Sequence, residues 1–282
     1  MLLADLIDDY IEYSTGALSL KTLESYKTDL QQMADYFDQL PVDEIRTGDI
    51  ERYKRHLVDN GYHRKSINRK MAAFRSFKAW VNNYPRLDIT IFAEAKGFKI
   101  PKYDYLQNPL TLSEFNRMVS KAEEVGDKRA IALFHALYRT GGRISEVLQL
   151  KVKSIKGDFE QIVGKKEKLR DLFIDDRVKA HCWDYIAGRP DEEWLFMNEK
   201  NSNPMSRYMA HYVIKKYARL AKVNLKHAHA HNFRHLLGMQ LADEGWSLAD
   251  IAEILGHDSL ESTRIYTRKT KDELRRRMTI RN

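Results

Sequence analysis

The chain has 282 residues and can bury a sizeable core, because 43% of them are hydrophobic. Its formal net charge of +8 and pI of about 9.3 favour an anionic partner, nucleic acid or a membrane surface, over charge that serves only solubility. A single cysteine excludes a disulfide within the chain and fits the reducing cytoplasm, and we expect neither a signal peptide nor a bilayer-spanning helix, because the N-terminus is acidic and no apolar run is long enough.

The N-terminal part of the sequence has the pattern of a helical bundle. Apolar residues recur every three or four positions from Leu2 to Ile11, which is the spacing of one helix face. Ser19 is a good N-cap for a second helix, and a third helix is expected from 47 to an Asn-Gly stop at 60–61. A fourth begins near Lys65 and turns apolar side chains inward. We therefore predict a bundle of amphipathic helices over residues 1–95.

Residues 96–108 predict an interdomain linker, because glycine and proline interrupt them and lysines are scattered among them. The remaining residues, 109–282, predict a second domain that mixes helices with a small antiparallel sheet, since short apolar runs split by turns fill 151–175. The fold class is therefore mainly α: an N-terminal helical bundle followed by an α+β domain. Helices of the second domain are expected over 128–138, 145–150, 178–186, 206–221 and 247–255.

Arg143 is the first residue whose setting indicates chemistry. It follows Gly141 and Gly142, which let the backbone turn tightly beside a ligand, and it precedes a helix. A guanidinium presents a planar fork that binds two phosphate oxygens at once. Glu146 lies three residues further on, within reach along a helix, and could hold that guanidinium in place. Taken alone, the pair also fits an ordinary surface ion pair.

His231 and Arg234 form a second basic group at a helix start. Their spacing projects both toward one side, and the free N–H groups of a helix N-terminus suit an anion. A histidine there can also give or take a proton near neutral pH. His227, His229 and His231 alternate, which raises the alternative of a metal site. No carboxylate or thiolate stands near them in sequence, so we predict no metal and no cofactor.

Tyr266 and Lys165 complete the candidate residues. By default a tyrosine in this apolar setting is a partly buried core residue, but the basic neighbours Arg264, Arg268 and Lys269 are expected to favour the phenolate. Lys165 lies at the tip of the predicted hairpin. It is either part of a solvated charged turn or a mobile lysine that reaches a leaving oxygen.

The motifs, taken in order, resemble those of a known family. They are Thr-Gly-Gly-Arg at 140–143, His-Asn-Phe-Arg-His at 231–235, and Leu-Gly-His at 255–257 followed by Tyr266. This series resembles the tyrosine recombinases of the phage integrase family, and it is most similar to Xer-like recombinases and transposon-encoded tyrosine resolvases. Two departures are Gly142, where a bulky apolar residue is commoner, and a Gly-Lys-Lys hairpin in place of Gly-Lys-Gly.

The resemblance implies a SAM-like core-binding domain and a catalytic domain that clamp double-stranded DNA at inverted-repeat half-sites, with a homo-tetramer on two DNA sites. Accessory proteins stay unknown. The tail, with Leu274 and Met278, is expected to dock on a neighbouring protomer. The implied contacts to the DNA backbone come from the helix that begins near residue 65. They are Lys65, Ser66, Asn68, Arg69, Lys70 and Arg75.

The resemblance also implies a role for each candidate catalytic residue. Tyr266 attacks the scissile phosphate and becomes a 3′-phosphotyrosine, while Arg143 and Arg234 stabilise the transition state. Lys165 is the general acid for the departing oxygen. His231 acts as acid or base at the tyrosine, and His257 hydrogen-bonds the phosphate.

Two alternatives to a site-specific recombinase are kept. A topoisomerase IB-like nicking-closing enzyme would use the same residues without a specific DNA site. A non-catalytic DNA-binding accessory protein would bind DNA but would have no need of a phenol at position 266.

Overall fold

The computed structural model describes residues 1–100, 106, 108–163, 169–198, 200–267, 275 and 279. The chain divides into two compact units, Met1–Lys102 and Tyr103–Asn282. Lys165, at the predicted hairpin tip, and Leu274 and Met278, in the predicted tail, lie outside the described residues. Among the residues that are described, no helix has the length and apolar character needed to cross a membrane.

The first unit is the predicted helical bundle, built around its last helix. Phe74 and Phe77 of that helix are fully buried among the apolar faces of the other three. Ser19 caps the second helix as predicted, since its hydroxyl accepts a hydrogen bond from the backbone N–H of Thr22. The described helices are α1 (Leu3–Tyr13), α2 (Leu20–Phe37), α3 (Thr47–Asp59) and α4 (Arg64–Asn83).

The segment after α4 forms no regular element, yet it is bound to α4 along its length. Asn68 both accepts from the backbone N–H of Phe98, at 2.7 Å, and donates to its carbonyl, at 2.9 Å. Arg75 donates to the carbonyl of Ala95 at 2.5 Å. The start of the predicted linker at 96 is therefore docked on the bundle. Asn68 was expected to contact the DNA backbone, but both polar atoms of its amide are hydrogen-bonded to the backbone of Phe98.

Lys70 also departs from its predicted role as a phosphate contact. Its side chain is 2% exposed, and its ammonium lies 2.8 Å from the carboxylate of Asp29, which is fully buried. Arg69 reaches the same carboxylate oxygen at 2.9 Å while about half of its side chain stays exposed. A buried ammonium that is already paired is not available to DNA, so we correct Lys70 to a structural residue of the bundle.

Asp29→Ala is expected to destabilise the first unit by about 3–5 kcal/mol, because it leaves the buried Lys70 ammonium without its counter-charge. Urea unfolding followed by circular dichroism measures this as an earlier first transition. The matched control is the double variant Asp29→Leu with Lys70→Met, which replaces the ion pair by apolar side chains and should recover most of the stability. A single variant as stable as the wild type would show that the ammonium escapes to solvent.

The second unit packs its helices around α6 (Lys128–Arg139), which is the most deeply buried. Leu133, Phe134 and Leu137 of this helix are completely inaccessible to solvent. The other described helices are α5 (Leu112–Glu124), α7 (Ile144–Val147), α8 (Asp176–Ile186), α9 (Arg207–Leu220), α10 (Ala230–Asp243), α11 (Leu248–Leu255) and α12 (Leu260–Thr267).

The predicted antiparallel sheet is present but smaller than the pattern suggested. Strands β1 (Phe159–Val163) and β2 (Leu169–Phe173) pair antiparallel, with Phe159 opposite Phe173. The segment before them forms a 3₁₀ helix, Val152–Lys156, in which Val152 and Ile155, three residues apart, are both buried on one face. The helix expected over 145–150 is only the short α7.

Candidate active site

The turn before α7 brings Arg143 close to two other elements. Gly141 has a φ of +60°, and a Cβ there would lie 2.7 Å from the side chain of Leu255. At Gly142 a Cβ would lie 2.9 Å from the side chains of Leu172 and Val147. The unusual glycine at 142 is thus matched to its surroundings, because neighbouring side chains already fill the space that a bulkier residue would take.

Arg143 is held by Glu146, the residue that the sequence spacing suggested. Its Nη1 lies 2.7 Å from Oε1 of Glu146, and its backbone N–H donates to Oε2 of the same carboxylate at 2.7 Å. A third contact joins Nη2 to the carbonyl of Gly256 at 3.2 Å. Glu146 is buried, so the carboxylate fixes the guanidinium, while about a third of the Arg143 side chain stays exposed.

Arg234 is a buried cation with few partners. Its side chain is almost inaccessible to solvent, and its Nη1 donates to the carbonyl of Gly141 at 2.7 Å. Within the described ranges its Nε has no hydrogen-bond partner. Burial first, and then the positive charge of Arg143, lower the pKa of Arg234 to about 10. Both causes indicate a positive charge that an added anion would stabilise.

Tyr266 lies buried beside this arginine pair. Its hydroxyl oxygen is 2.9 Å from Nδ1 of His235, and its ring packs over Gly238, where a Cβ would come within 2.8 Å of the ring. Burial raises the pKa of Tyr266 to about 12, and the charge of Arg234 opposes that rise. The phenol therefore keeps its proton at neutral pH.

Of the basic neighbours expected to favour the phenolate, only Arg264 can be located in the structure. Arg264, one of the basic neighbours in sequence, pairs with Glu261 at an exposed position. Arg268 and Lys269 lie outside the described residues. Among the described residues, the cation that acts on Tyr266 is Arg234, which is distant in sequence.

His231 takes a different place from the one expected. The ring of His231 packs against the ring of His235 with 4.3 Å between centroids, and the contact to the tyrosine hydroxyl is made by His235. The expectation that His231 lies at that hydroxyl is therefore not met. Partial burial lowers the pKa of His231, and the charges of Arg234 and Arg143 add to the effect.

His257 lies on the other side of Tyr266. Its Nδ1 is 2.8 Å from the hydroxyl of Thr263, and its ring is parallel to the tyrosine ring at a centroid distance of 6.1 Å. Burial, followed by the charges of Arg234 and Arg143, lowers its pKa to about 4. The ring is therefore neutral at neutral pH. Its Nε2–H is a hydrogen-bond donor if Nδ1 accepts from Thr263.

The three alternating histidines do not converge on one point. His227 pairs with Glu114, Nδ1 to Oε1 at 2.9 Å, whereas His231 contacts His235. In the part of the chain that is described, no group of three histidine, cysteine or acidic residues is arranged to hold a metal ion.

Arg170 is a site residue that the sequence reasoning missed. From strand β2 its Nη1 donates to the carbonyl of Leu255 at 2.5 Å and its Nη2 to that of Ile254 at 3.0 Å. It also lies 3.6 Å from the carboxylate of Glu146. It therefore ties the hairpin to the end of α11, just before His257. A usable signal existed: Arg170 shares the inward face of its strand with Leu172.

A cleft of about 320 Å³ opens beside these residues. Strand β2 lies on one side of it and the turn after α11 on the other. Its lining includes Arg143, Arg170, His257 and the acidic residues Asp171 and Asp258. Arg234 and Tyr266 are buried and do not line this cleft, whose two guanidinium groups are those of Arg143 and Arg170. The charges of Arg143 and Arg234 act on each other, and that of Arg234 acts on the phenol of Tyr266, so an arginine pair and a phenol lie together next to the cleft. That combination suits nucleophilic attack on a phosphate diester.

Comparisons with known proteins agree with this chemistry. The phage integrase family model matches residues 108–273, and the model of the phage integrase N-terminal SAM-like domain matches residues 7–83. The tyrosine recombinase XerC of Treponema denticola is 28% identical over an alignment of 294 positions, gaps included, and this alignment covers 96% of each chain.

Two solved structures share the fold. XerH site-specific recombinase bound to palindromic difH substrate, in its post-cleavage complex, gives a TM-score of 0.75 at 19% identity, covering 93% of this chain and 80% of that one. The Tn1549 transposon integrase, in complex with transposon right end DNA, gives 0.74 at 19% identity, covering 99% of both. The phage integrase family model matches more than half of this chain. The chain therefore belongs to the phage integrase family of tyrosine recombinases.

Proposed function

We propose that this protein is a site-specific DNA recombinase that cleaves and rejoins duplex DNA through a 3′-phosphotyrosyl intermediate. The observation that carries the proposal is the buried phenol of Tyr266 beside Arg234, whose charge lacks a full set of partners among the described residues. A bound phosphate would supply those partners. The membership of the chain in the tyrosine recombinase family supports the same reading.

The proposed reaction uses the side chains of the second unit. The phenolic proton of Tyr266 passes to a non-bridging oxygen of the phosphate as the Oη–P bond forms and the P–O5′ bond breaks, and Lys165 gives a proton to the departing 5′ oxygen. Arg143 and Arg234 stabilise the additional negative charge of the transition state, and the imidazole of His257 hydrogen-bonds a phosphate oxygen. We assign proton exchange with the phosphate to His231, since the charges of both arginines act on its imidazole. The phosphotyrosine keeps the energy of the diester, so rejoining needs no ATP.

The first unit supplies contacts to the DNA backbone. Of the six residues nominated on α4, we retain Lys65, Ser66, Arg69 and Arg75, which keep an accessible side chain or part of one. We withdraw Asn68, whose amide is hydrogen-bonded to Phe98, and Lys70, whose ammonium is paired with the buried Asp29. Each phosphate contact adds to the salt dependence of binding, so loss of the Lys65 charge should flatten the dependence on salt for any DNA sequence.

The assembly follows from the same proposal. Two protomers would bind inverted-repeat half-sites, and a homo-tetramer on two DNA sites would exchange strands in the cytoplasm. Residues 1–95 would form the core-binding domain and 109–282 the catalytic domain. We place the linker after Phe98, because the chain up to that residue is bound to α4.

A nicked suicide substrate tests the function. The short strand beyond the cleavage point diffuses away, so a covalent protein–DNA band accumulates on a denaturing gel. An enzyme gives this band and an accessory DNA-binding protein does not. Dependence on one DNA sequence separates a recombinase from a topoisomerase IB-like enzyme, which would also relax supercoiled plasmid without a specific site.

The role of Lys165 gives a prediction that does not depend on its position in the structure. Lys165→Ala should cleave a normal phosphodiester slowly, by about 10²-fold or more, yet cleave a 5′-bridging phosphorothiolate at close to the wild-type rate. Sulfur leaves without a proton, so it bypasses the missing acid. Lys166→Ala and Lys168→Ala are matched controls from the same lysine-rich stretch of the sequence. If one of them shows this rescue and Lys165→Ala does not, the general acid is that neighbour.

A further inference from the structure

The hydroxyl of Tyr266 is contacted by a histidine that the mechanism above does not use. Nδ1 of His235 lies 2.9 Å from that oxygen, and the two ring centroids are 5.6 Å apart. The residues are 31 positions apart in sequence and lie on different helices, α10 and α12. The contact is therefore made by packing and not by local chain geometry.

Helix α10 is shaped to seat the tyrosine. His231, His235 and Gly238 are spaced by four and three residues, so they lie on one face of the helix. Gly238 lets the Tyr266 ring lie directly against the helix backbone, since a Cβ there would come 2.8 Å from ring atoms. The His231 ring then supports His235 from the preceding turn, at 4.3 Å. The imidazole at 235 is held on both sides.

The protonation states decide what the contact can do. Burial, followed by the charges of His231 and Arg234, lowers the pKa of His235 to about 3, so its ring is neutral. Burial raises the pKa of Tyr266 to about 12, so the phenol is protonated. Transfer of the proton between two such groups is strongly unfavourable. A hydrogen bond from the O–H to a neutral Nδ1 is favourable.

We propose that His235 is the positioning residue of the nucleophile: its Nδ1 accepts the Tyr266 O–H and turns a lone pair of that oxygen toward the arginine pair. The proposal rests on the recombinase function proposed above. His235 thereby restricts the hydroxyl to one of its rotational states before the phosphate arrives. The same hydrogen bond also fixes the position of the attacking oxygen, and an attacking atom displaced by about 1 Å can lose about 10²-fold in rate.

The test compares cleavage with religation in variants of the full-length protein. His235→Ala should slow formation of the covalent complex on the suicide substrate by about 10–100-fold. His235→Asn keeps a hydrogen-bond acceptor near the position of Nδ1 and should restore most of the rate. Religation, started by adding a 5′-hydroxyl strand to preformed covalent complex, should stay within about 3-fold in both, because phosphotyrosine has no O–H to orient.

The possible outcomes separate the explanations. If His235 were the base, His235→Asn would be as slow as His235→Ala, and religation would slow equally by microscopic reversibility. If it only packed, cleavage and religation would slow together in both His235→Ala and His235→Asn. Either result, or a wild-type cleavage rate in His235→Ala, overturns the proposal. His235→Leu replaces the alanine variant if that variant loses its melting transition.

His211→Asn is the matched control, because His211 lies on α9 and is a histidine without a role in the reaction. It should behave as wild type in every assay. Failure of the underlying function has a different signature: the wild-type protein itself would give no covalent complex on any DNA. If only the role of His235 is wrong, the wild-type protein still forms the covalent complex, and His235→Ala and His235→Asn form it at the same rate as each other.

Discussion

Tyr266→Phe is expected to abolish the covalent protein–DNA complex while leaving DNA affinity within about 3-fold of wild type. Phenylalanine keeps the ring that packs on Gly238 and removes only the hydroxyl oxygen, so the fold around α10 and α12 has little reason to change. The lost hydrogen bond to His235 should cost about 1 kcal/mol of stability. Suicide-substrate gels measure the reaction, and gel shifts measure binding.

The matched control for this variant is Tyr208→Phe. Tyr208 is an exposed tyrosine of α9 and has no part in the proposed chemistry. It should cleave as wild type does. A covalent band that persists in Tyr266→Phe would mean that another residue is the nucleophile, and mass spectrometry of the attached peptide would then identify it.

Arg234→Lys is expected to slow cleavage by at least about 10²-fold, the scale observed when one donor to a developing charge is removed. Lysine keeps the positive charge but offers a single ammonium in place of a planar fork. In the structure the guanidinium already binds the carbonyl of Gly141 while its charge acts on Tyr266. A lysine ammonium presents its three donors from one atom, so it lacks the parallel pair of N–H groups that fits two phosphate oxygens at once.

The control for Arg234→Lys is Arg139→Lys, which makes the same chemical change elsewhere in the unit. Arg139 pairs with Asp175, and a lysine can keep that ion pair. Cleavage by Arg139→Lys should therefore be close to wild type. Thermal melting checks that the buried lysine at 234 is tolerated. Full activity of a folded Arg234→Lys would rule out a bidentate phosphate contact at this position.

Local patterns in the sequence were enough to predict most of the helices and their ends. Ser19 and Ser247 cap their helices, and Gly256 ends α11 in the left-handed conformation, as their residue types suggested. Such signals depend on contacts between residues three or four positions apart, which the sequence displays directly. Val152 and Ile155 were wrongly assigned to the sheet, because their spacing of three residues fits one face of a helix and not the alternation of a strand.

The candidate catalytic residues were also named from sequence, because their order and types are distinctive. Their partners were not. Lys70 looked like a phosphate contact until the fold placed Asp29 beside it, 41 positions away. Arg170 looked like part of a charged hairpin, yet it binds carbonyls at the end of α11, about 85 positions away.

Residue types and spacing were thus enough to identify the candidate catalytic groups, which are Arg143, Arg234, Tyr266 and the histidines near them in sequence. Only the tertiary structure decided how those groups act. It put His235 instead of His231 at the Tyr266 hydroxyl, and it made burial the main influence on the pKa of that phenol. The physical reason is that desolvation and hydrogen bonding depend on distance in space, and packing brings together helices that the sequence separates.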